Sequence, residues 1–308
     1  MLARIPPLDD LWYSHEDVDG CVLIKRNGLG GMVSEAVEHC SVPKFRVTVT
    51  VPVLDVHGTI IAMGLLSIYI PTWKRPHLLD RLLQSIEPQL VPDVDVFVSV
   101  NKSDVPYSLP PWVRSRHTRI NVGGDANIIA GPSLVSGEYV WVIGDDDHLL
   151  PGAITTTLRA IEEKPGIIIH PDGKYKLGVT DGTLFQNYAE FCRAVIEARR
   201  PRTVTAHTLI SSNTFIRSNF NSGLAISKID TRYGFHYGML ANMLDMPVKI
   251  ADQPTMRYDH DASIFLMPQN AIDEHMAAYP QVMYDLYDWL TERIGYKVPY
   301  SCWGKGFY

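Results

Sequence analysis

Three adjacent carboxylates stand where an apolar segment of the sequence gives way to a proline-containing one. Asp145, Asp146 and Asp147 follow the strand-like segment EYVWVI (138–143) and precede HLLPGAI. Crowded like charges repel each other strongly unless a cation lies among them, and carboxylate oxygens suit Mg²⁺ or Mn²⁺. The cluster predicts a metal site that also takes substrate phosphate oxygens. The alternative is a group of aspartates that caps a helix N-terminus.

Alternating strands and helices must position this cluster. Four strands are predicted, at 65–70, 94–100, 118–122 and 138–143. The leucine spacing of HLLDRLLQSIE predicts an amphipathic helix after the first strand, and a second helix is predicted over 124–135. This alternation predicts an α/β fold with a mostly parallel central sheet flanked by helices. Sheets of this kind bind ligands at the carboxyl ends of their strands.

The two ends of the chain differ from this pattern. The residue pattern of 1–63 predicts an N-terminal β extension, with a strand at 45–51 and a hairpin turn at His57. Residues 64–265 form the predicted main domain, which becomes mixed in pattern beyond its first half. Residues 266–308 predict a C-terminal helical tail, whose amphipathic helix offers a surface for homo-oligomer formation.

Composition and charge argue against several classes of protein. The chain has 308 residues and a formal net charge of −6, opposite in sign to the basic field of a protein that coats nucleic acid. Four scattered cysteines show neither zinc-site spacing nor a redox motif, and they indicate reduced thiols. The longest apolar run, 60–70, is too short to span a membrane, and the first residues lack the features of a signal peptide. We therefore expect a soluble cytoplasmic protein without stable nucleic-acid binding.

Four segments, taken in order and spacing, resemble the glycosyltransferases of family 2. They are SIYIPTWKRPHLLDRLLQSI (67–86), VNKS (100–103), NVGGDANIIAG (121–131) and SGEYVWVIGDDDHLLPGAI (136–154). The resemblance extends from about residue 65 to residue 263. It implies a Rossmann-like A-type glycosyltransferase fold and a metal-dependent transfer of a sugar from a nucleotide-diphosphate sugar to an acceptor hydroxyl. It further implies inversion at the sugar carbon and a UDP-sugar as the leading candidate for the donor.

The resemblance also implies which residues bind the nucleotide base. The loop after the first strand brings Pro71, Thr72 and Arg75 near it. After the second strand, family members usually carry acidic residues, one of which hydrogen-bonds the uracil edge. Val100 and Asn101 stand there in this chain, and the amide of Asn101 is expected to bind the base, since it can both donate and accept.

A second set of residues is expected to approach the ribose or the transferred sugar. By resemblance these are Asn121, Gly123, Gly124 and Asn127, which form the family's pattern of asparagines and glycine. For Asn121, a turn and helix cap is the alternative interpretation.

For the acidic triplet, the resemblance implies an Asp-x-Asp motif that holds Mn²⁺ or Mg²⁺ against the donor diphosphate. The motif can be aligned with this sequence in two ways. If the alignment is counted back from Pro151, Asp146 and Asp147 are the acidic residues that remain of the motif; the alternative is Asp145-x-Asp147. We favour Asp145 and Asp147 as ligands, directly or through water, with Asp146 on the ribose or sugar hydroxyls. His260, in a later loop, is the expected third ligand or diphosphate contact, with a surface or loop-bracing histidine as the alternative.

An inverting transfer also needs a group that takes the proton of the acceptor hydroxyl. The family commonly uses an aspartate at the start of a late helix. That position falls on His236, and Asp230, one loop earlier, is the other candidate. An imidazole titrates near neutral pH and can serve as a base. The alternative for His236 is a residue packed at a helix start.

Two other functions stay open from the sequence. A nucleotidyltransferase would share the sheet and the acidic site, but its first loop is usually rich in glycine, and IPTWKRP (70–76) contains none. A glycosyltransferase-like binding protein that has lost catalysis is the third interpretation, because the acidic base contact is missing. The sequence does not indicate the acceptor.

Overall fold

The structure, a computed structural model, describes most of the chain between residues 64 and 257 and shorter stretches outside it. The described residues are 13–17, 20–26, 32–35, 53–54, 60–61, 64–171, 179–197, 213–231, 233–257, 285–286 and 288–295. They belong to two compact units, Met1–Val51 and Pro52–Tyr308. His260 and the strand predicted at 45–51 lie outside the described residues. Within the described part, no helix has the length and apolar character needed to cross a membrane.

The first unit contains an antiparallel sheet of three strands. They are β1 (Tyr13–Asp17), β2 (Gly20–Arg26) and β3 (Met32–Glu35), with β2 in the middle. In the second unit, β4 (Val53–Leu54) pairs antiparallel with β5 (Ile60–Ile61). This short ladder lies on either side of the turn predicted at His57, which is itself outside the described residues.

An eight-stranded sheet forms the centre of the second unit. The other described strands of this unit are, in chain order, β6 (Leu66–Thr72), β7 (Val94–Val100), β8 (Val113–His117), β9 (Tyr139–Val142), β10 (His148–Leu149), β11 (Ile167–Ile169), β12 (Leu184–Phe185), β13 (Thr214–Ile216), β14 (Val248–Ile250) and β15 (Met256–Arg257). The order across the large sheet is β12-β14-β11-β13-β9-β6-β7-β8, and β10 pairs with β15 in a small separate ladder.

The large sheet is parallel over the half that carries the predicted site. Strands β9, β6, β7 and β8 run parallel to one another, as do β11 and β14. By contrast, β13 is antiparallel to both of its neighbours, and β12 is antiparallel to β14. The predicted fold class, α/β with a mostly parallel central sheet flanked by helices, is confirmed.

Helices cover both faces of this sheet. Those described are Pro76–Ile86, Gly124–Ile129, Gly131–Leu134, Ala153–Glu162, Tyr188–Glu197, Ser222–Ser227, Gly234–Leu240 and a helix at 288–294. Alternate residues of β6 enter different apolar clusters: Ile68 and Ile70 pack in one, and Tyr69 packs in the other. This two-sided burial is the reason that the strand is apolar throughout. The helix Pro76–Ile86 begins at a proline, whose fixed φ suits a first turn.

The third predicted strand is displaced in the structure. The strand lies at β8 (Val113–His117), and residues 118–122 form an exposed loop in which Ile120 is 67% exposed. The backbone N–H of Val122 donates to the side-chain oxygen of Asn101 at 3.0 Å and does not join a ladder. A side chain therefore takes the hydrogen bond that a strand would have used, which the apolar pattern of this segment does not reveal.

The helix predicted over 124–135 is divided in two. Gly124–Ile129 and Gly131–Leu134 are separated at Ala130. Pro132 lies at the start of the second helix, and it has no N–H with which to continue the hydrogen bonding of the first.

A buried histidine joins three strands of the sheet. His170 follows β11, and its ring nitrogens lie 3.0 Å from the Thr255 hydroxyl and 2.8 Å from the Thr214 hydroxyl. Its ring stacks on Trp141, with 4.0 Å between the ring centroids. Burial lowers the pKa of His170 to about 3, so this side chain is neutral in the folded protein at physiological pH.

Acidification from pH 7 to pH 5 is expected to reduce the free energy of unfolding. A histidine in an unfolded chain titrates near pH 6.5, whereas His170 titrates near 3 in the folded state, so the unfolded state binds more protons below pH 6.5. Stability is therefore lost as the pH falls, and His170 accounts for about 2 kcal/mol at pH 5. Urea denaturation of the wild type and of His170→Gln at pH 7, 6 and 5 measures this contribution. Equal pH slopes in the two proteins would contradict it.

Candidate active site

Polar residues gather at the carboxyl ends of three neighbouring strands. Pro71 and Thr72 end β6, Asn101 follows β7, and residues 144–147 follow β9. Because β6, β7 and β9 are parallel, these ends lie at one edge of the sheet. The structure thus brings together the three loops that the sequence analysis assigned to the site.

Arg75 joins two of the three adjacent aspartates at this edge. Its Nη2 forms an ion pair with Asp145 Oδ1, and its Nε donates to Asp145 Oδ2 at 3.2 Å. Its Nη1 lies 3.0 Å from Asp146 Oδ2. The Thr72 hydroxyl donates to Asp145 Oδ2 at 2.6 Å. One guanidinium therefore reduces the repulsion between two carboxylates and fixes their orientation.

Asp145 is fully buried, which makes its charge dependent on these contacts. Burial raises the pKa of its carboxyl to about 6, and the charge of Arg75 and the hydrogen bond from Thr72 oppose that rise. The nearby charge of Asp146 raises the pKa as well. Arg75 is accordingly the group that allows Asp145 to remain ionised at neutral pH.

The other two aspartates have different surroundings. The side chain of Asp146 is 14% exposed, and its backbone carbonyl accepts a hydrogen bond from Arg81 Nη2 at 2.6 Å. Asp147 is buried, and its Oδ2 accepts the Gly144 N–H at 3.2 Å. Asp146 is therefore the member of the triplet whose carboxylate is open to the surface.

A side chain at Gly144, the residue before the triplet, would require two of the carboxylates to move. A Cβ atom at Gly144 would lie 2.7 Å from Asp146 Oδ1 and 3.1 Å from Asp147 Oδ2. The alternative interpretation of the triplet as a helix cap is wrong. The next helix, Ala153–Glu162, begins after Gly152, and β10 separates it from the aspartates.

The donor chemistry of the triplet fits a divalent cation, because all its side-chain donors are carboxylate oxygens and one guanidinium leaves them a net negative charge. Asp145 is already engaged by Arg75 and Thr72, so Asp146 has the most accessible oxygens. No cluster of three or more histidine, cysteine or acidic side chains arranged for a metal occurs among the described residues, which do not include His260.

The amides expected to contact the donor make internal hydrogen bonds. Asn101 is 3% exposed, and its Nδ2 donates to Asn121 Oδ1 at 2.8 Å. The same oxygen of Asn121 accepts the Gly123 N–H at 3.0 Å, which forms the turn that was the alternative interpretation of Asn121. Gly123 has a φ of 82°, a value that favours glycine, and Gly124 begins the following helix.

Asn127 fastens that helix to the sheet. It is 2% exposed; its Nδ2 donates to the Ser99 carbonyl at 3.0 Å, and its Oδ1 accepts from the Ser99 hydroxyl at 2.6 Å. Its backbone carbonyl accepts the Tyr69 hydroxyl at 2.6 Å. The structure places Asn127 among β6 and β7, on the inner side of the helix.

The two candidates for a catalytic base lie on neighbouring elements. His236 is in the helix Gly234–Leu240, which contacts the helix Gly124–Ile129. Its ring packs against Tyr233 and Phe235, with centroid distances of 5.4 and 5.6 Å, and burial lowers its pKa to about 3. Asp230 is exposed in the turn before that helix.

Two residues of the site were missed by the sequence analysis. Arg81 lies on the helix after β6 and contacts the backbone of Asp146. A cation on the polar face of a helix that follows a site strand was a usable signal. Tyr107 lies in a loop; its hydroxyl is 3.3 Å from the Thr72 hydroxyl and accepts the Arg75 N–H at 3.2 Å. No periodicity or motif marks a loop tyrosine of this kind.

Comparison with known proteins gives a family match over this region. A family model described as "Glycosyl transferase family 2" matches residues 67–226, which is 160 of the 308 residues. The abequosyltransferase RfbV of Salmonella typhimurium is 30% identical over 118 residues, covering 34% of this chain and 35% of that protein. The GalNAc(5)-diNAcBac-PP-undecaprenol beta-1,3-glucosyltransferase of Campylobacter jejuni is 33% identical over 110 residues, covering 33% and 36%. The match spans about a third of the length of both curated relatives.

Solved structures with a similar chain path include two complexes, one with UDP-GlcNAc and one with UDP. S. aureus TarS 1–349 in complex with UDP-GlcNAc has a TM-score of 0.45 at 14% identity, covering 71% of this chain and 64% of that chain. Glucosyl-3-phosphoglycerate synthase of Mycobacterium tuberculosis, in complex with Mn²⁺, UDP and glucosyl-3-phosphoglycerate, has a TM-score of 0.42 at 15% identity, covering 77% and 81%. At these values neither structure assigns a role to any residue of this chain.

Proposed function

Because this chain belongs to glycosyl transferase family 2, we propose that it transfers a sugar from a nucleotide-diphosphate sugar to an acceptor hydroxyl, with inversion and with the help of Mn²⁺ or Mg²⁺. The observation that carries this proposal is the contact of Arg75 with Asp145 and Asp146 at the carboxyl edge of parallel strands. Such an edge is where a sheet of this class binds its ligand. The proposed donor is a UDP-sugar.

In this proposal, cationic side chains stabilise the leaving diphosphate. Negative charge develops on that group as the bond to the sugar breaks, and preorganised cations beside it lower the barrier. Arg75 lies at the required edge: two carboxylates orient its guanidinium, and its backbone N–H donates to the Tyr107 hydroxyl. A bound divalent ion would supply further positive charge to the diphosphate. The sequence favours Asp145 and Asp147 as metal ligands and Asp146 on the ribose or sugar hydroxyls. Because Asp145 is buried and paired with Arg75, we propose instead that Asp146 contacts the ion or the donor directly and that Asp145 acts through Arg75, with Asp147 as the other candidate ligand.

The proton of the acceptor hydroxyl is proposed to go to His236, with Asp230 as the alternative. The helix that carries His236 contacts the helix Gly124–Ile129, which borders the site edge. Burial keeps the imidazole of His236 neutral, but its pKa of about 3 makes it a weak base, so the proposed role requires that this pKa rise when substrate binds. Asp230 is exposed and offers a carboxylate in the preceding turn.

Trp73 is proposed to stack on the nucleotide base. It is 38% exposed directly after β6, and its Nε1 donates to the Lys102 carbonyl at 3.0 Å, which fixes the ring between two site loops. Trp73→Ala is expected to weaken UDP binding by about 5- to 150-fold, since base stacking on an aromatic ring contributes about 1–3 kcal/mol. Trp73→Phe retains a ring and should lose less. Calorimetric titration with UDP measures both, and an unchanged dissociation constant for Trp73→Ala would remove the ring from the base site.

Thermal-shift screening of nucleotide sugars, with and without Mn²⁺, tests the proposed function. A ligand present at 100 times its dissociation constant adds about 2.7 kcal/mol of stability. We expect one class of nucleotide sugar to raise the melting temperature and the same donor to be hydrolysed or transferred. A panel of acceptors should include lipid-linked glycans, because one relative is named for a PP-undecaprenol-linked glycan.

Two results would favour the other functions. Release of pyrophosphate from a nucleoside triphosphate, without cleavage of any nucleotide sugar, would favour a nucleotidyltransferase. Metal-dependent binding of a nucleotide sugar without hydrolysis or transfer on any acceptor would favour a binding protein on a glycosyltransferase scaffold.

A further inference from the structure

We infer that Asn101 is a positioning residue, which fastens residues 118–123 to the end of β7 and does not read the edge of the nucleotide base. The inference rests on the proposed function, since it concerns the wall of the same donor site. It differs from the base-binding role expected of this amide, and it concerns how the chain selects its donor.

The hydrogen bonds of the Asn101 oxygen are used within the protein. Oδ1 accepts the Val122 N–H at 3.0 Å and the Lys102 N–H at 3.1 Å, and the Thr118 hydroxyl lies 3.1 Å away. A carbonyl oxygen of this kind has two lone pairs. The two backbone N–H groups therefore suffice to occupy it.

The amide nitrogen of Asn101 is used in the same way. Nδ2 donates to Asn121 Oδ1 at 2.8 Å and to the Gly123 carbonyl at 3.3 Å, so each of its two hydrogens has an acceptor. At 3% exposure, the side chain lies behind the residues that it binds. To reach a base, the amide would have to give up these bonds and leave buried groups unpaired.

The residue before Asn101 cannot recognise the base in its place. Val100 is apolar and 1% exposed, packed in the cluster on one face of the sheet. Neither position at the end of β7 therefore presents a polar side chain to a base. Recognition of the base edge must come from other groups of the site or from the backbone.

The bonds of Asn101 hold a specific stretch of chain. They connect the end of β7 to Val122 and Gly123, directly before the helix Gly124–Ile129. This stretch is one of those proposed to border the donor. Loss of the amide should displace this stretch and so weaken the binding of every nucleotide, whatever its base.

Calorimetry with UDP, CDP, GDP and dTDP measures nucleotide binding by Asn101→Ala and Asn101→Asp. The results distinguish a positioning role of Asn101 from direct recognition of the base. Positioning predicts that each variant loses affinity by one factor that is the same for every nucleotide the wild type binds, about tenfold for Asn101→Ala. The factor should be smaller for Asn101→Asp, which keeps an oxygen acceptor for the Val122 and Lys102 N–H groups. Base reading predicts a loss confined to one base. It further predicts that Asn101→Asp, which restores an acid near the position typical of the family, strengthens UDP binding. Ser115→Ala, an exposed change on β8, is the control for handling and folding.

Amide hydrogen exchange provides a readout that needs no nucleotide. The Val122 N–H should exchange faster in Asn101→Ala, because its acceptor is removed, and should stay protected in Ser115→Ala. A base-selective loss of affinity, or unchanged Val122 exchange in Asn101→Ala, would overturn the inference. If the wild type binds none of the four nucleotides, the proposed function fails, and Val122 exchange alone then decides whether Asn101 holds this segment.

Discussion

Arg75→Met is expected to lower the transfer rate by about 10²–10³-fold and the free energy of unfolding by about 3 kcal/mol. The loss of rate follows from removing a preorganised cation beside the leaving diphosphate. The loss of stability follows because Asp145 is fully buried and would lose its ion pair. The expected loss of about 3 kcal/mol is at the low end for breaking a buried ion pair, since the Arg75 side chain is 19% exposed. Donor hydrolysis assays and urea denaturation at pH 7.5 measure the two effects.

Two companion variants identify the cause of the Arg75 effects. Arg75→Met combined with Asp145→Asn should recover part of the lost stability, because no unpaired charge is left buried. It should not recover activity. Arg75→Lys retains the charge but not the fork that spans two carboxylates, so it should fall between the wild type and Arg75→Met. Equal stability of Arg75→Met and the wild type would contradict the assigned contact.

Asp146→Asn is expected to lower the transfer rate by about 10²-fold or more with little change in the melting temperature. A carboxylate that binds a metal ion or the donor contributes several kcal/mol to the transition state, and each 1.4 kcal/mol is tenfold in rate. The side chain of Asp146 is partly exposed, so an amide of the same size can replace it without leaving a buried charge. Initial rates over a Mn²⁺ titration, together with thermal denaturation, measure both quantities.

The neighbouring aspartates are matched controls for Asp146. Asp145→Asn should reduce both activity and stability, because this residue bonds to Thr72 and Arg75. Asp147→Asn should act mainly on the turn, since its Oδ2 accepts the Gly144 N–H. Full activity in Asp146→Asn, with the Mn²⁺ dependence located at Asp147, would reverse the proposed assignment.

Much of the fold could be predicted from the sequence because its signals are local. The leucine spacing of the helix Pro76–Ile86 and the apolar run of β6 identified both elements, and both are buried as expected. The segment 118–122 was predicted wrongly as a strand. Its apolar residues match a strand pattern, but its backbone bonds to Asn101, and no pattern within the segment contains that information.

The location of the candidate site could be predicted from the sequence alone. An acidic triplet after one parallel strand, and polar loops after two others, must meet at one edge, because parallel strands end on the same side of a sheet. The burial and the hydrogen-bond partners of each residue there became known only from the folded chain. Asp145 is buried and paired with Arg75, whereas the Asp146 side chain is partly exposed. The side chain of Asn101 forms hydrogen bonds within the protein. Burial and hydrogen-bond partners arise between segments far apart in the chain, so adjacent residues of one type can differ in charge and access.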